Sequence, residues 1–368
     1  MEDGEAMEDA NKLTPLRDEI DKIDEKILEL LNERAGVALR IAEVKREQNL
    51  EYYNPDRERE IIERLTKLNK GVFPNNTLKI VFKEIFCASL SLEQPITIAY
   101  LGPQATFSHV ASMRYFGSSC GFFPVNSIRE VFVAVESENA DFGVVPSENS
   151  TEGAITYTLD MFMDYDLKIC DEMMLEIGHH LLSRTTDKTK IKRIYSMSVV
   201  TAQCRRWLER NMFDVPILDA PSSAQAASMA AQEEGSAAVG SELAAKIYDL
   251  NFIERHIEDF RNNVTRFLII SKKCKERSDC DKTSIMFTAK DVPGSLHEVL
   301  APFKRAKINL TKVESRPTKK RAWDYIFFVD FDGNIDDKKI QKTLAEVEKH
   351  CINMKVLGSY HRMDKPDG

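Results

Sequence analysis

Two cations stand where a helix would be expected to bury only carbon. With Arg34 as the angular origin and roughly 100° per residue, Ile23, Ile27, Leu30, Ala38 and Ile41 fall within about 40° of it, and Lys45 within about 20°. A buried cation is costly unless it is paired. Two arrangements satisfy that demand. One is a set of buried salt bridges, or side chains that snorkel past the core; the other is a dry cationic pocket that takes a dicarboxylate. Periodicity alone weighs the two equally. Arg17 lies about 100° off the stripe, so it cannot easily serve the pocket from the same helix, whereas a partner chain's copy can. Other polar groups cluster beside short apolar runs: GPQATFS (102–108), VPSENSTEG (145–153), SSAQAA (222–227) and NNVTRFLII (262–270). The first can present backbone N–H groups and hydroxyls to an anion. The second reads more readily as a polar turn than as a substrate cradle, and the third as an ordinary helix start. In the fourth, Thr265 and Arg266 precede an apolar strand. Arg266 at that strand mouth is either a bidentate carboxylate ligand or a surface cation.

These groups need three kinds of scaffold. Residues 13–94 read as all helix. Thr14 serves as N-cap and Pro15 as the first helical residue, with Asp18 and Glu19 in the first turn. Leu16, Ile20, Ile23, Ile27, Leu30, Leu31, Val37, Ile41 and Val44 then recur at helical spacing. Such a helix of about 35 residues is ~50 Å long, too long to bury its stripe within one small helical domain. A coiled coil or another oligomer is implied. Two further helices fit 56–70 and 76–92, and residues 1–12 read as a disordered tail. After Gln94–Pro95 short apolar strands alternate with helices, so 96–271 predicts an α/β domain with a mostly parallel sheet, able to split into two lobes around a cleft. The charged stretch 272–282 marks a second boundary. Beyond it, 281–363 reads strand, helix, strand, strand, helix, strand, the ferredoxin-like order.

Composition narrows the function. The chain has 368 residues and a formal charge of −8, which disfavours unspecific nucleic-acid binding. No apolar run reaches the ~18 residues of a membrane span, and the acidic N-terminus is no signal peptide. Seven scattered cysteines without a CxxC pair predict free thiols in a reducing cytosol. The seven histidines show no metal-ligand spacing, and neither metal nor cofactor is expected.

Over nearly all of 13–94 the sequence resembles the helical chorismate mutase family, on LRDEIDKIDEKILELLNER, IAEVK, PDREREI and SLSLEQP. The resemblance implies an intertwined dimer of three helices per chain. In it Arg34, Lys45 and Arg57 of one chain and Arg17 of the other hold the two carboxylates and the ether oxygen of chorismate. Glu58 accepts from the ring hydroxyl, Ser89 and Glu93 complete the site, and Asn54 stands where some members carry aspartate. Glu93 would have to be protonated to donate to the ether oxygen. Over 96–271 the four motifs together, with AQCRRWL (202–208) and AAVGSELAAKIYDL (237–250), closely resemble prephenate dehydratase. That implies two α/β lobes like a periplasmic binding protein, with the site in the cleft. Thr265 is the key hydroxyl, Arg266 a carboxylate ligand, and Thr106, Ser108, Ser147, Glu148, Asn149, Ser150 and Phe267 provide further substrate contacts. Ala105 occupies a position where that family commonly has glycine.

The C-terminal segment resembles ACT regulatory domains through PGSL (293–296), ESRP (314–317) and WDYIFFVDFDG (323–333). There phenylalanine would bind between paired domains, lined by Gly294, Ser295 and Leu296 with Glu314, Ser315, Arg316 and Pro317 near it. The resulting expectation is a cytoplasmic bifunctional enzyme, a homodimer or dimer of dimers, that converts chorismate to prephenate and prephenate to phenylpyruvate under phenylalanine feedback. Two other readings remain: a dehydratase whose helices only dimerise, and a non-catalytic amino-acid-binding regulator. The four cations spread over the helices speak against the first, and the Thr-Arg-Phe triplet against the second.

Overall fold

The computed structural model describes residues 2–48, 55–151, 153–274, 281–317 and 325–363, with side chains from Leu13 onward. Packing divides the chain into a helical unit, Met1–Ile96 with Phe116–Cys120, and a second unit comprising Thr97–Tyr115 and Gly121–Gly368.

The helical unit holds α1 (Glu2–Glu47), α2 (Pro55–Leu68) and α3 (Asn75–Glu93). Its first helix corrects the expected start. Pro15 lies inside it and the helix runs on to Glu2, so residues expected as a tail are helical. A single proline removes only one hydrogen bond from a long ladder, so the helix can run through Pro15. The 46 residues of α1 span about 70 Å. α3 packs against both other helices. Ala38 and Ala42 of α1 are buried, as are Phe86, Ser89 and Leu90 of α3. The rest of the α1 apolar stripe stays open: Leu16, Ile20, Ile23, Ile27 and Leu30 are 57, 57, 49, 49 and 64% exposed.

The second unit begins β1 (Thr97–Leu101), α4 (Phe107–Phe116), β2 (Gly121–Val125), α5 (Ile128–Glu136), β3 (Phe142–Asn149), β4 (Gly153–Ala154), α6 (Thr156–Asp164) and β5 (Lys168–Glu176). It continues β6 (His180–Ser183), β7 (Arg193–Ser196), α7 (Ser198–Gln203), α8 (Arg205–Asn211), β8 (Ile217–Asp219), α9 (Ser223–Gln232), β9 (Ser236–Gly240), α10 (Glu242–Ile247), β10 (Asn251–Glu254) and β11 (Val264–Ser271). Two sheets result, one per lobe. The first runs β2-β1-β3-β11-β5 with β4 beside β3, the second β10-β6-β9-β7-β8. Neither is mostly parallel. β1 is parallel to β2 and β3, but β11 lies antiparallel to both β3 and β5. In the other lobe β6 is antiparallel to β9 and β10. The reason is topological: β5 leads out of the first sheet and β11 returns to it, so neighbouring strands must run in opposite senses. In the second lobe, buried alanines at 224, 226, 227, 230 and 231 let α9 lie close on β9.

The final segment is β12 (Lys282–Ala289), α11 (Ser295–Arg305), β13 (Leu310–Pro317), β14 (Tyr325–Asp332), α12 (Lys338–His350) and β15 (Cys351–Tyr360), the expected βαββαβ order. Its antiparallel sheet runs β13-β14-β12-β15. One face buries Ile285, Phe287, Val329 and Phe331 against Val299, Phe303, Leu344 and Val347 of its helices. From the other, Phe328, Leu357 and Tyr360 join the core of the first lobe. β15 lies so close to β5 that a Cβ at Gly358 would collide with the carbonyl of Ile169.

The expectation of free thiols fails at one pair. Cys170 and Cys274 form a disulfide across 104 residues, with Cα atoms 5.1 Å apart. Cys170 lies within β5 and Cys274 just past the end of the neighbouring β11, a proximity that sequence spacing does not reveal. Cys87, Cys120, Cys204 and Cys351 are free thiols, and Cys280 lies outside the described residues.

Candidate functional sites

In the helical unit α1 and α3 bring Arg34, Ser89, Glu93 and Lys45 to one groove, and α2 adds Glu58. Arg34 Nη1 donates to Ser89 Oγ at 2.5 Å, and the guanidinium sits 5.1 Å from the centre of the Phe86 ring. Ser89 Oγ in turn donates to the Ile85 carbonyl at 2.8 Å. Among the described residues no carboxylate lies within ion-pair distance of Arg34. Burial lowers its pKa, against an opposing pull from Glu93 and Glu58. The Glu93 carboxyl is pushed up by burial, with Lys45 and Arg34 pulling it down. Burial also raises Glu58, to about 7, although Lys83 and Arg34 oppose it. Half-buried cations therefore face carboxyls that hold their protons unusually well. Arg57 stands apart: its guanidinium is on the surface, 2.9 Å from Glu60 one turn on. Arg17 is exposed and, 17 residues before Arg34, about 25 Å away along α1. Asn54 lies outside the described residues. Phe86 and Lys83 were not singled out from the sequence; their spacing from Ser89 and Glu93 on α3 was the available signal.

The second polar cluster begins at Thr265, which is 7% exposed. Asn149 Nδ2 donates to Thr265 Oγ1 at 2.9 Å and to Asn263 Oδ1 at 2.7 Å. Asn263 Nδ2 donates to Gln203 Oε1 at 3.2 Å, and His179 Nε2 lies 2.7 Å from the same oxygen. Gln203 Oε1 can only accept, so His179 carries its proton on Nε2. The chain thus joins β11 and β3 of one lobe to α7 of the other. Because Thr265 Oγ1 accepts from Asn149, its own proton is available to donate elsewhere. From the sequence, Asn263 and Gln203 were not singled out as individual groups, although each sits in a quoted motif.

Most other expected substrate contacts are spent within the chain. Thr106 Oγ1 donates to the carbonyls of Leu101 and Pro103 at 2.9 and 3.1 Å. Ser108 is buried near the start of α4. Ser147 Oγ donates to the Arg266 carbonyl at 3.2 Å. Ser150 Oγ donates to the Asn262 carbonyl and accepts from Val264 N, each at 2.9 Å. Phe267 is core, 1% exposed. Glu148 pairs with Lys312 of the C-terminal sheet at 2.7 Å. Arg266, expected as a ligand for a substrate carboxylate, is instead held by the chain's own carboxylates, Glu172 and Asp330, each at 2.7 Å. The reason lies in the pleat, which turns Arg266 to the face of β11 opposite Thr265. Ala105 adopts φ 70°, the left-handed region that favours glycine.

A third site is a pocket of about 240 Å³ lined by Gly294, Ser295, Leu296, His297, Ala289, Tyr325 and Phe327. Gly294 caps α11 with φ 83°, a conformation that glycine takes without strain. Ser295 Oγ is buried there with no hydrogen-bond partner among the described residues. Of the ESRP residues none lines the pocket. Arg316 instead forms a fork on Asp160, at 3.1 and 3.2 Å.

Three family models match in order along the chain: chorismate mutase type II over 16–94, prephenate dehydratase over 98–275 and the ACT domain over 283–349. A bifunctional chorismate mutase/prephenate dehydratase of Aquifex aeolicus is 48% identical over 353 residues, covering 95% of this chain and 98% of the relative. The protein of that name from Pseudomonas aeruginosa is 42% identical, covering 96% and 99%. Among solved structures, prephenate dehydratase in complex with L-Phe from Arthrobacter aurescens superposes with a TM-score of 0.68 at 32% identity, over 74% of this chain and 92% of that one. The architecture is therefore that of a helical mutase, a two-lobed dehydratase and an ACT domain in one polypeptide. The chain belongs to the bifunctional chorismate mutase/prephenate dehydratase family.

Proposed function

We propose that the helical groove rearranges chorismate to prephenate and that the Thr265 cluster converts prephenate to phenylpyruvate, under inhibition by phenylalanine bound in the ACT pocket. The observation that carries this reading is that the two polar clusters share no residue, so each can run its own reaction.

The first reaction is pericyclic and needs neither nucleophile nor proton transfer. It needs the reactive conformer held and the charge growing on the ether oxygen stabilised. Arg34 and Lys45 supply cations, a protonated Glu93 supplies a donor, and Glu58 accepts from the ring hydroxyl. By the family resemblance Arg57 and Asn54 are further substrate ligands. Arg17 comes from a second copy, whose own stripe covers the exposed Leu16, Ile20, Ile23, Ile27 and Leu30; a homodimer, alone or paired, follows.

In the second reaction the bond to the ring carboxylate breaks and CO2 leaves. Its electron pair enters the ring as the C4–O bond breaks, and the hydroxyl departs as water after taking a proton. Aromatisation drives the step. Threonine is a poor bulk acid, so Thr265 acts as a positioned donor or relay, set by Asn149. Ser150, bonded to the Asn262 carbonyl and Val264 N, borders that region, whereas Glu148 pairs with Lys312 on the opposite face of the sheet. Phenylalanine, as in the Arthrobacter aurescens complex, suits a pocket with aromatic walls, Tyr325 and Phe327, and a buried hydroxyl on Ser295 awaiting a polar partner. The ESRP strand, Glu314 to Pro317, lies outside the pocket of a single chain and would meet the ligand across paired ACT domains. We place the enzyme in the cytosol.

The test is chorismate in and phenylpyruvate out, with and without phenylalanine. Thr265→Ala should abolish phenylpyruvate while prephenate accumulates at the normal rate. Loss of both products, or of neither, would overturn the assignment.

A further inference from the structure

Adjacent residues of a strand project to opposite faces of the sheet. β3 and β11 use that rule together: in register, Thr265 faces Asn149 and Arg266 faces Glu148. Thr265 and Asn149 meet in the polar chain described above. Arg266 and Glu148 reach toward the ACT sheet. There Arg266 donates through Nε to Glu172, through Nη1 to Asp330 and through Nη2 to Tyr360 Oη, at 2.7, 2.7 and 2.8 Å. Lys282 Nζ donates to the same Glu172 oxygen at 2.7 Å and lies 3.7 Å from Asp330. Ser284 Oγ joins Asp330 Oδ1 and Tyr360 Oη, each at 2.5 Å. The side chains of Arg266, Glu172, Asp330 and Lys282 are 8, 0, 9 and 8% exposed. Two cations thus face two carboxylates, and the buried formal charges cancel.

Ion pairs of this kind often stabilise no better than apolar residues of the same volume. What such a set can supply is a defined position. The position it defines here is the backbone of β11 one residue from Thr265, beside a register shift between Arg266 and Phe267, where the ladder is locally disrupted. The far ends of the same ACT strands reach the phenylalanine pocket. β12 carries Lys282 at one end and Ala289 at the other; β14 carries Asp330 near one end and Tyr325 and Phe327 near the other.

We propose that the ACT sheet, through Asp330, Lys282 and Tyr360 acting on Arg266, sets the position of the Thr265 hydroxyl, so that Arg266 is a positioning residue of the dehydratase and the link through which the pocket reaches it. This rests on Thr265 being the dehydration donor. The fork of Arg316 on Asp160 and the pair Lys312–Glu148, both from β13, fasten the same two surfaces beside the cluster.

The test uses the full chain carrying Asp330→Asn or Tyr360→Phe, each alone and in a Thr265→Ser background. Dehydratase kcat and KM, mutase rate and phenylalanine inhibition are measured on each preparation. Asp330→Asn should lower dehydratase kcat at least tenfold, with KM for prephenate and the mutase rate each within twofold of the parent. The half-inhibiting phenylalanine concentration should shift at least fivefold. Tyr360→Phe keeps every charge and should lower kcat about threefold, which keeps the test alive if Asp330→Asn fails to fold. In Thr265→Ser, where the hydroxyl is no longer held by a branched carbon, the added loss from either change should shrink by at least threefold. The proposal is overturned if both variants keep kcat within twofold, if the loss falls on KM alone, or if it is undiminished in Thr265→Ser. Thr265→Ala separates the two levels. A fully active Thr265→Ala enzyme sinks the reading of the site itself, whereas an inactive one beside an unaffected Asp330→Asn sinks only the role of the cluster.

Discussion

Arg34 and Arg266 are both withdrawn from water, and their surroundings are opposite. Arg34 rests on Phe86 and Ser89 in a groove, with no carboxylate of the described chain within ion-pair distance, and burial draws its pKa down. At Arg266 burial works in the same direction, but Tyr360, Asp330 and Glu172 outweigh it and hold the proton more firmly than usual. An arginine left short of counter-charge is poised for an anionic guest. An arginine saturated by its own chain is part of the frame. The two regions differ likewise in completeness: the helical unit leaves its apolar stripe bare, while the ACT sheet closes over the dehydratase lobe with Phe328, Leu357 and Tyr360.

The contrast breaks most easily at Arg34. Arg34→Ala should cost roughly a thousandfold or more in mutase kcat/KM, about 4 kcal/mol, and leave dehydratase activity and thermal stability nearly unchanged; chorismate consumption and a melting curve measure both. Arg266→Met should show the inverse emphasis. It strands Glu172 and Asp330 with Lys282 alone, and should destabilise the second unit by about 3 kcal/mol in denaturant titration, with mutase chemistry intact. A large stability loss in the first variant, or none in the second, would erase the distinction.

A pH profile sharpens it further. Glu58 must be ionised to accept from the ring hydroxyl, so mutase activity should rise with pH through about 7. Glu93 must keep its proton, and burial raises its pKa, so its ionisation pulls activity down as pH rises. The two opposed demands give a bell-shaped profile whose limbs approach tenfold per pH unit, and Glu93→Gln should remove the falling contribution. Both folded-state pKa values are raised, so these groups favour folding when protonated, and that contribution is lost as pH climbs through them. In the second unit Asp330 is shifted the other way: burial would raise it, but Arg266 and Lys282 hold it down. Its contribution is present at neutral pH and disappears as acid protonates it. The smallest effect is expected at Ala105, where glycine would relieve the left-handed backbone. Ala105→Gly should stabilise by roughly 0.5–1 kcal/mol after its greater unfolded-state entropy is counted, a shift of a few degrees in Tm.

What the sequence revealed follows the range of the forces involved. α2, α3 and the C-terminal βαββαβ order were legible because amphipathic period and Pro-Gly or Asn-rich turns are local. Arg34 and Lys45 could be grouped because helical spacing puts them on one stripe, while Ser89 and Glu93 joined them only through the family resemblance. Strand direction leaves no mark in an apolar run, and the mixed sheets were missed. Pro15 reads as a helix start because proline is favoured there, yet the acidic residues before it continue the helix. The partners of Arg266 lie 94 and 64 residues away, and those of the disulfide 104 apart; only the folded chain brings them together.

The register of β11 has a consequence for how this protein can change over generations. Thr265 and Arg266 occupy consecutive places with unlike duties, so a single inserted or deleted residue that shifted the strand by one would exchange them, sending a guanidinium to the cleft and a hydroxyl into the charge cluster. Gains and losses of chain length are therefore tolerable in the loops around β11 only where they leave this phase untouched, and variants should accumulate there by substitution.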